Sequence, residues 1–126
     1  MANWTPQGFV GKSFQVTSKL VPPPPLPPPV LWGEESVVRQ RLGSGAKQIS
    51  CTRQAAHIAY PFPPKEVVDF FRQYFGPTQM AFSKLDEAGQ GNLASQLEAL
   101  WAEHNTGENG KTEVEAEYLE VRAIRA

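Results

Sequence analysis

The run of prolines between residues 22 and 29 constrains the fold of this chain more than any other feature. Seven of those eight positions are proline, and the exception is Leu26. Proline fixes φ and has no backbone N–H, so the run belongs neither in a helix nor in the interior of a sheet. The sequence therefore predicts an extended polyproline connection over 22–29, on the order of 25 Å long, with structured segments before and after it.

Length and composition indicate one globular domain over 1–126, with the polyproline connection inside it. The 12 Lys and Arg residues nearly balance the 13 Asp and Glu residues. No basic stripe alternates with aromatic residues, so nucleic acid is not expected as a partner. No apolar run approaches the roughly 18 residues needed to cross a bilayer, so no membrane partner is expected either. Cys51 is the only cysteine, which suits a reducing compartment and favours a cytoplasmic location.

Hydrophobic periodicity predicts the helices and strands on both sides of the proline run. Helices are expected near 8–20, 36–42, 65–75, 78–88 and 92–104, and strands over 46–60 and 112–125. The Gly89-Gln90-Gly91 sequence predicts a break before the last helix, with Asn92 as its cap.

In the final strand the apolar residues change from even to odd positions near the middle, which is called the parity change below. Val114, Ala116 and Tyr118 alternate with glutamates, whereas Leu119 and Val121 lie at the opposite parity. Either a β-bulge at 118–119 or burial on both faces of the strand would explain the change.

Five stretches of the sequence carry a resemblance to a known family. They are Met1-Ala2-Asn3-Trp4 with the turn Thr5–Phe9, the proline-rich Val21–Gly33, Tyr60-Pro61-Phe62, Phe70–Thr78 and Glu115–Val121. These stretches resemble the C-terminal portion of class I S-adenosylmethionine-dependent methyltransferases, and in particular a bacterial subgroup that acts on small molecules. The resemblance covers nearly the whole chain, but none of the five stretches is a catalytic motif.

The resemblance implies a partial α/β fold taken from the end of a Rossmann-like sheet. In that family a fifth strand is followed by a helix, a sixth strand, and an antiparallel seventh strand that inserts between the fifth and sixth. Residues 1–4 resemble the end of the fifth strand, and the strands near 47–58 and 112–125 would form an antiparallel pair with helices inserted between them. Because so little of the fifth strand is present, one edge of 112–125 would be open, and a homodimer through that edge is expected.

The same resemblance implies a function that this chain does not complete alone. The family holds S-adenosylmethionine with a glycine-rich loop after its first strand and an acid that binds the ribose, and neither feature is present. Gly43-Ser44-Gly45 is the nearest approach to such a loop, but it follows a predicted helix and therefore indicates a helix stop. The chain would be the substrate-side part of a small-molecule methyltransferase, inactive alone, with no catalytic, cofactor-binding or metal-binding residue of its own.

Four aromatic residues are candidates for lining the pocket of the methyl acceptor: Trp4, Phe9, Phe62 and Tyr74. Open α/β sheets bind ligands at the carboxyl ends of their strands, and core packing is the alternative for each ring. A general-base role for His57 is weighed against an ordinary surface position. The glutamates at 113, 115 and 117 are interpreted as a solvated strand face rather than a cation site.

The proline run also supports an alternative, non-enzymatic function. Lys19 followed by Pro22 and Pro25 fits a basic residue plus a PxxP sequence, which aromatic-grooved domains recognise. The chain would then be an interaction protein that uses residues 19–29. The competing interpretation is a rigid strap over the domain, anchored by the helix before it and by Val30-Leu31-Trp32 after it.

Overall fold

The computed structural model describes all 126 residues. The elements are β1 (Ala2–Trp4), α1 (Phe9–Leu20), a 3₁₀ helix (Pro29–Gly33), α2 (Glu35–Leu42), β2 (Ala46–Tyr60), α3 (Pro64–Tyr74), α4 (Gly76–Ser83), α5 (Glu87–His104) and β3 (Thr112–Arg125). No helix is long and apolar enough to cross a membrane.

The three strands form one sheet in the order β1-β3-β2. β1 pairs antiparallel with β3, with Ala2 opposite Glu120 and Trp4 opposite Tyr118. β3 is also antiparallel to β2, because the N–H of Ala126 after β3 donates to the carbonyl of Gly45 before β2 at 3.2 Å. The fold is therefore a mixture of helices with an antiparallel sheet, compatible with the α/β class, and the expected pairing of 47–58 with 112–125 is confirmed.

The chain divides into two compact units. The first unit contains residues 1–12, 25–56 and 115–126, and the second contains residues 13–24 and 57–114. β2 and β3 each contribute residues to both units, so the units are not separate along the sequence. The expectation of a single domain over 1–126 stays a prediction.

The core of the first unit lies between α2 and β3. Val38 of α2 packs with Leu119 and Val121 of β3, and these three residues are almost fully buried. Partly buried apolar residues pack around them: Trp32, Leu42, Ile49 and Cys51. α2 ends where the sequence predicts, at the Gly43-Ser44-Gly45 turn.

The second unit contains α3, α4 and α5, with α3 in contact with both of the others. Their buried residues are Val67, Val68, Ala81, Phe82, Leu93, Leu97, Leu100 and Trp101. Arg72 of α3 lies over the ring of Phe82 in α4, with its guanidinium carbon 4.4 Å from the ring centroid. The pair fixes α4 against α3 by a cation–π contact.

The predicted break at Gly89-Gln90-Gly91 is wrong, because α5 runs without interruption from Glu87 to His104. Asp86 is the N-cap, and its Oδ1 accepts a hydrogen bond from the N–H of Gly89 at 2.8 Å. That bond satisfies an N–H that the first turn of a helix leaves without a partner, which offsets part of the low helix propensity of glycine. Asn92 therefore lies inside the helix rather than at its start.

The parity change in β3 reflects burial on both faces of the strand. Val114 and Ala116 are buried before the change, and Leu119 and Val121 after it. Pairing with the first strand is continuous across the change: Thr5 N–H donates to Glu117 O at 3.1 Å, and Val121 N–H donates to Met1 O at 2.7 Å. No residue is inserted along this edge, so a bulge there does not explain the pattern.

The polyproline connection forms neither helix nor strand before Pro29, where the 3₁₀ helix begins. Its residues are all exposed, and the chain has no cis peptide bond. Val21, just before it, is buried and donates its N–H to Thr17 O at 2.9 Å. Pro29 accepts a 2.8 Å hydrogen bond from Asn3 Nδ2. The residues at both ends are thus hydrogen-bonded, and the strap interpretation stays a prediction.

Candidate functional site

An aromatic cluster surrounds Tyr60 at the carboxyl end of β2. The centroid of its ring lies 5.5 Å from that of Phe62, 5.8 Å from Phe70, and 6.0 Å from both Phe71 and Trp101. Tyr74 and Phe75 extend the cluster through Phe70 and Phe71. These seven residues are called the aromatic cluster below. They come from β2, the loop after it, helices α3 and α5, and the junction between α3 and α4.

The aromatic cluster is buried at one end and open to solvent at the other. Trp101 is 5% exposed, whereas Phe70 is 40% and Tyr74 66% exposed. Burial raises the pKa of the Tyr60 hydroxyl, because the phenolate is poorly solvated there. Tyr60 therefore keeps its proton well into alkaline conditions, and the cluster presents rings to solvent together with a neutral hydroxyl.

A cavity of about 310 Å³ lies where β2 ends and β3 begins. Its lining combines an apolar part with two opposite charges: Ala59, Tyr60, Pro61, Lys111 and Glu113. The carboxyl ends of strands are the usual place for ligands in open α/β sheets. The cavity and the adjoining rings of the aromatic cluster form the candidate site.

Glu113 connects the cavity to His57, the histidine that the sequence singles out as a possible base. His57 Nε2 and Glu113 Oε1 are 3.0 Å apart, with half of the histidine side chain exposed. An imidazole oriented by a carboxylate can take a proton from a bound group. From the sequence alone, Glu113 is interpreted as part of a solvated strand face. The antiparallel pairing of β2 with β3 is the signal that places it opposite His57.

The turn after β1, residues 4–8, is closed rather than open. This segment is called the rim turn below. Thr5 is fully buried, and its Oγ1 donates to Glu117 Oε1 at 2.8 Å. Gln7 Nε2 donates to the same oxygen at 3.1 Å. A Cβ at Gly8 would lie 2.8 Å from Thr5 Oγ1, so the turn leaves no space for a ligand among these residues.

The four predicted pocket residues are divided between the two units. Phe62 and Tyr74 both contact Phe70 of the aromatic cluster, at centroid distances of 5.9 and 5.0 Å. Trp4 and Phe9 belong to the first unit. Trp4 packs edge-on against Tyr118 at 6.2 Å, and Phe9 is only 4% exposed. Phe9 therefore has the packing of a core residue.

Sequence reasoning missed Tyr60, Phe70, Lys111 and Glu113 as residues of this site.

No group of three or more His, Cys, Asp or Glu side chains is arranged to hold a metal ion.

Comparison with known proteins gives relatives but no family. No family model matches the chain. It is 28% identical over 88 residues to the uncharacterized proteins Mb1438c of Mycobacterium bovis and Rv1403c of Mycobacterium tuberculosis. The match covers 68% of this chain and 32% of each relative. The chain thus spans about a third of the length of the curated relatives it matches.

Proposed function

We propose that this chain is the C-terminal, substrate-side part of an S-adenosylmethionine-dependent methyltransferase that acts on a small molecule. The observation that carries the proposal is the strand order β1-β3-β2, with β3 antiparallel to both neighbours. The resembled family ends its sheet in the same way, with an antiparallel seventh strand between the fifth and the sixth. On this proposal β1, β2 and β3 correspond to the fifth, sixth and seventh strands.

The methyl acceptor would bind at the aromatic cluster and its cavity. Phe62 and Tyr74 offer ring faces to a flat apolar acceptor. Glu113, paired with His57, offers a hydrogen-bond acceptor to the heteroatom that attacks the methyl group. Such an arrangement would act mainly by positioning, which contributes much of the rate enhancement when a methyl group passes directly between two bound molecules. Trp4 and Phe9 belong to the first unit and stay predictions as pocket residues.

The cofactor would be held by residues outside this chain. The sequence has no glycine-rich turn from a strand into a helix, which is the feature that binds the cofactor in the resembled family. The mycobacterial relatives are about three times as long as the stretch they share with this chain, which leaves room in them for a cofactor-binding half. This chain alone would therefore be inactive.

Isothermal titration with S-adenosylmethionine tests the proposal on two proteins. The full-length Mycobacterium tuberculosis relative should bind the cofactor, and this chain alone should not. Absence of binding by the relative would refute the family proposal. Micromolar binding by this chain alone would instead refute the proposal that the cofactor contacts lie elsewhere.

A homodimer through the strand edge 112–125 belongs to the same proposal. The segment from Met1 to Thr5 covers β3 only over residues 117–121. Beyond it, residues 122–125 are exposed, with Ile124 54% exposed. An uncovered strand edge with an apolar side chain is a template for a second chain. Sedimentation should show a dimer that Ile124→Asp weakens, and a monomer at high micromolar concentration would contradict it.

The second candidate function is an interaction protein that uses residues 19–29. The observation in its favour is that every residue of 22–29 is exposed, with Leu26 73% exposed. Lys19 lies in α1, so only the prolines after it can take the extended form that SH3-type domains bind. Such domains should bind the intact protein as well as a peptide of residues 19–29. If such domains bind the peptide but not the intact protein, the interaction function is excluded and the strap interpretation remains.

A further inference from the structure

A second cavity, of about 290 Å³, lies in the first unit, where the turn after α2 meets the end of β3. Its lining carries two arginines, a hydroxyl and an apolar wall: Arg41, Leu42, Ser44, Gly45, Ala46, Ala123 and Arg125. No acidic side chain lines it. We propose that this cavity binds a phosphate monoester, a ligand that the proposed methyl transfer does not involve.

The two arginines of the cavity have no acidic partner, in contrast to their neighbours. Arg39 pairs with Glu35 at 2.9 Å, and Arg122 pairs with Glu120 at 3.0 Å. Neither of those neutralised arginines lines the cavity. Arg41 and Arg125 thus bring two positive charges to one concave surface, where an anion gains from both.

Arg41 is held in place before any ligand arrives. Its guanidinium carbon lies 4.6 Å from the centroid of the Trp32 ring. Trp32 in turn packs against the buried residues Val38, Leu119 and Val121. Stacking on a fixed ring restricts the arginine without using its N–H donors, which stay available for oxygen atoms.

The backbone fixes the turn to the end of β3. The N–H of Ala126 donates to Gly45 O at 3.2 Å, and the N–H of Gly45 donates to Leu42 O at 3.0 Å. Arg41 and Arg125 are therefore carried by segments that are joined by hydrogen bonds. The C-terminal end of α2 contributes about half a negative charge, and the carboxylate of Ala126 beside Gly45 contributes one more in this chain. The two guanidinium groups exceed this sum.

A phosphate monoester fits this set of groups. Its oxygens can accept paired N–H bonds from both guanidinium groups and one bond from the Ser44 hydroxyl. Leu42, Ala46 and Ala123 leave an apolar wall for a short carbon substituent. The volume is at the lower end of the range for small-molecule sites, so the ligand should be small.

NMR titration of the full chain at constant ionic strength, with inorganic phosphate, ethyl phosphate and acetate as probes, tests the proposal. Both phosphates should give saturable shifts at the amides of Ser44, Gly45 and Ala46, with ethyl phosphate the tighter ligand. Arg41→Gln and Arg125→Gln should each weaken phosphate binding at least about tenfold. Arg53→Gln is the matched control, because it removes the same charge from an exposed strand position outside the cavity.

The role of Trp32 has its own variants. Trp32→Leu keeps every charge and should still weaken phosphate binding. Since Trp32 packs on the core, Arg41→Lys serves as a second variant, which keeps the charge and removes the planar fork. Equal weakening by Arg53→Gln and Arg41→Gln would show diffuse attraction and overturn the site. Acetate binding as tight as phosphate would overturn the ligand class, and full affinity in Arg41→Lys would overturn the geometry.

Discussion

The rim turn and the aromatic cluster are alike in sequence and opposite in structure. The rim turn with the adjoining Phe9 carries two of the four aromatic residues that the sequence marks as pocket candidates, and the aromatic cluster carries the other two. In the rim turn the backbone is approached closely by glycines, with Gly33 against the Trp4 carbonyl and Gly11 against the Pro6 carbonyl. The aromatic cluster instead leaves Phe70 and Tyr74 open beside a cavity of about 310 Å³.

This difference shows that an aromatic residue near a strand end is not in itself a sign of a binding site. The rim turn uses the missing side chain of glycine to bring backbone segments together, which gives rigidity and leaves no space. The aromatic cluster has more rings than its helices can cover, so part of its apolar surface faces solvent. The following variants test whether the first region is rigid and the second accessible.

Gly33→Ala should have the largest effect. A Cβ at this position would overlap the carbonyl of Trp4, and backbone cannot move aside as a flexible side chain can. We expect a loss of about 3 kcal/mol or more in the free energy of unfolding, measured with urea. Gly91→Ala is the control: nothing lies within 4 Å of its Cβ position, and it should stabilise α5 by up to about 1 kcal/mol. Equal stability of the two variants would contradict the close approach.

Thr5→Val should have the next largest effect. Valine keeps the shape of the fully buried Thr5 but removes the hydroxyl that donates to Glu117 at 2.8 Å. The carboxylate then loses one partner, and we expect a loss of about 1–2 kcal/mol in urea denaturation. Thr52→Val, on an exposed position of β2, should change stability by less than about 0.5 kcal/mol. Similar losses in both variants would mean that the rim turn is not rigid.

His57→Gln should change stability less than Thr5→Val does. The pair with Glu113 is 50% exposed on the histidine side and 37% on the glutamate side. Solvent and salt screen such pairs, so the loss should be under about 1 kcal/mol. Urea denaturation of His57→Gln and Thr5→Val under the same conditions should show this order of losses. A loss larger than that of Thr5→Val would contradict an open site in the second unit.

The ionisation of Tyr60 should leave stability unchanged around neutral pH and lower it in alkaline solution. Burial raises its pKa in the folded protein, whereas in the unfolded chain the value is about 10. Above that pH the unfolded state releases its proton first, so the stabilising contribution is complete below about pH 10 and is lost as pH rises through the folded pKa. Phenolate absorbance should show a component that titrates later than a free tyrosine. Tyr60→Phe should remove that component, and its persistence would refute the assignment.

The strands and the proline connection were predictable because their signals are local. Alternation over residues 46–60 and 112–125 marks both long strands at the bounds that the structure has. The missed helix junction has a local cause as well. Asp86 stabilises the first turn of α5 strongly enough to include Gly89, and a glycine lowers helix propensity without forbidding a helix.

The candidate site was less predictable because it depends on distances between segments that are far apart in sequence. Spacing predicts that Tyr74 and Phe75 share a face of the helix expected over 65–75, but not whether anything covers that face. In the structure Tyr74 is 66% exposed. Glu113 becomes part of the site only through the pairing of β2 with β3, and its sequence neighbours give no indication of that.

The parity change in β3 also protects the chain against misfolding. In an ordinary amphipathic strand, slipping by one residue exchanges a single apolar face with a polar one. In β3 a slip by one residue would move Glu115 and Glu117 into the places of Val114 and Ala116, and Glu120 and Arg122 into those of Leu119 and Val121. Charges would then be buried on both faces at once. A shifted register therefore carries the cost of buried charge on each face of the strand. This should reduce the number of folding intermediates with a wrong register and keep this long strand from stacking into fibrils.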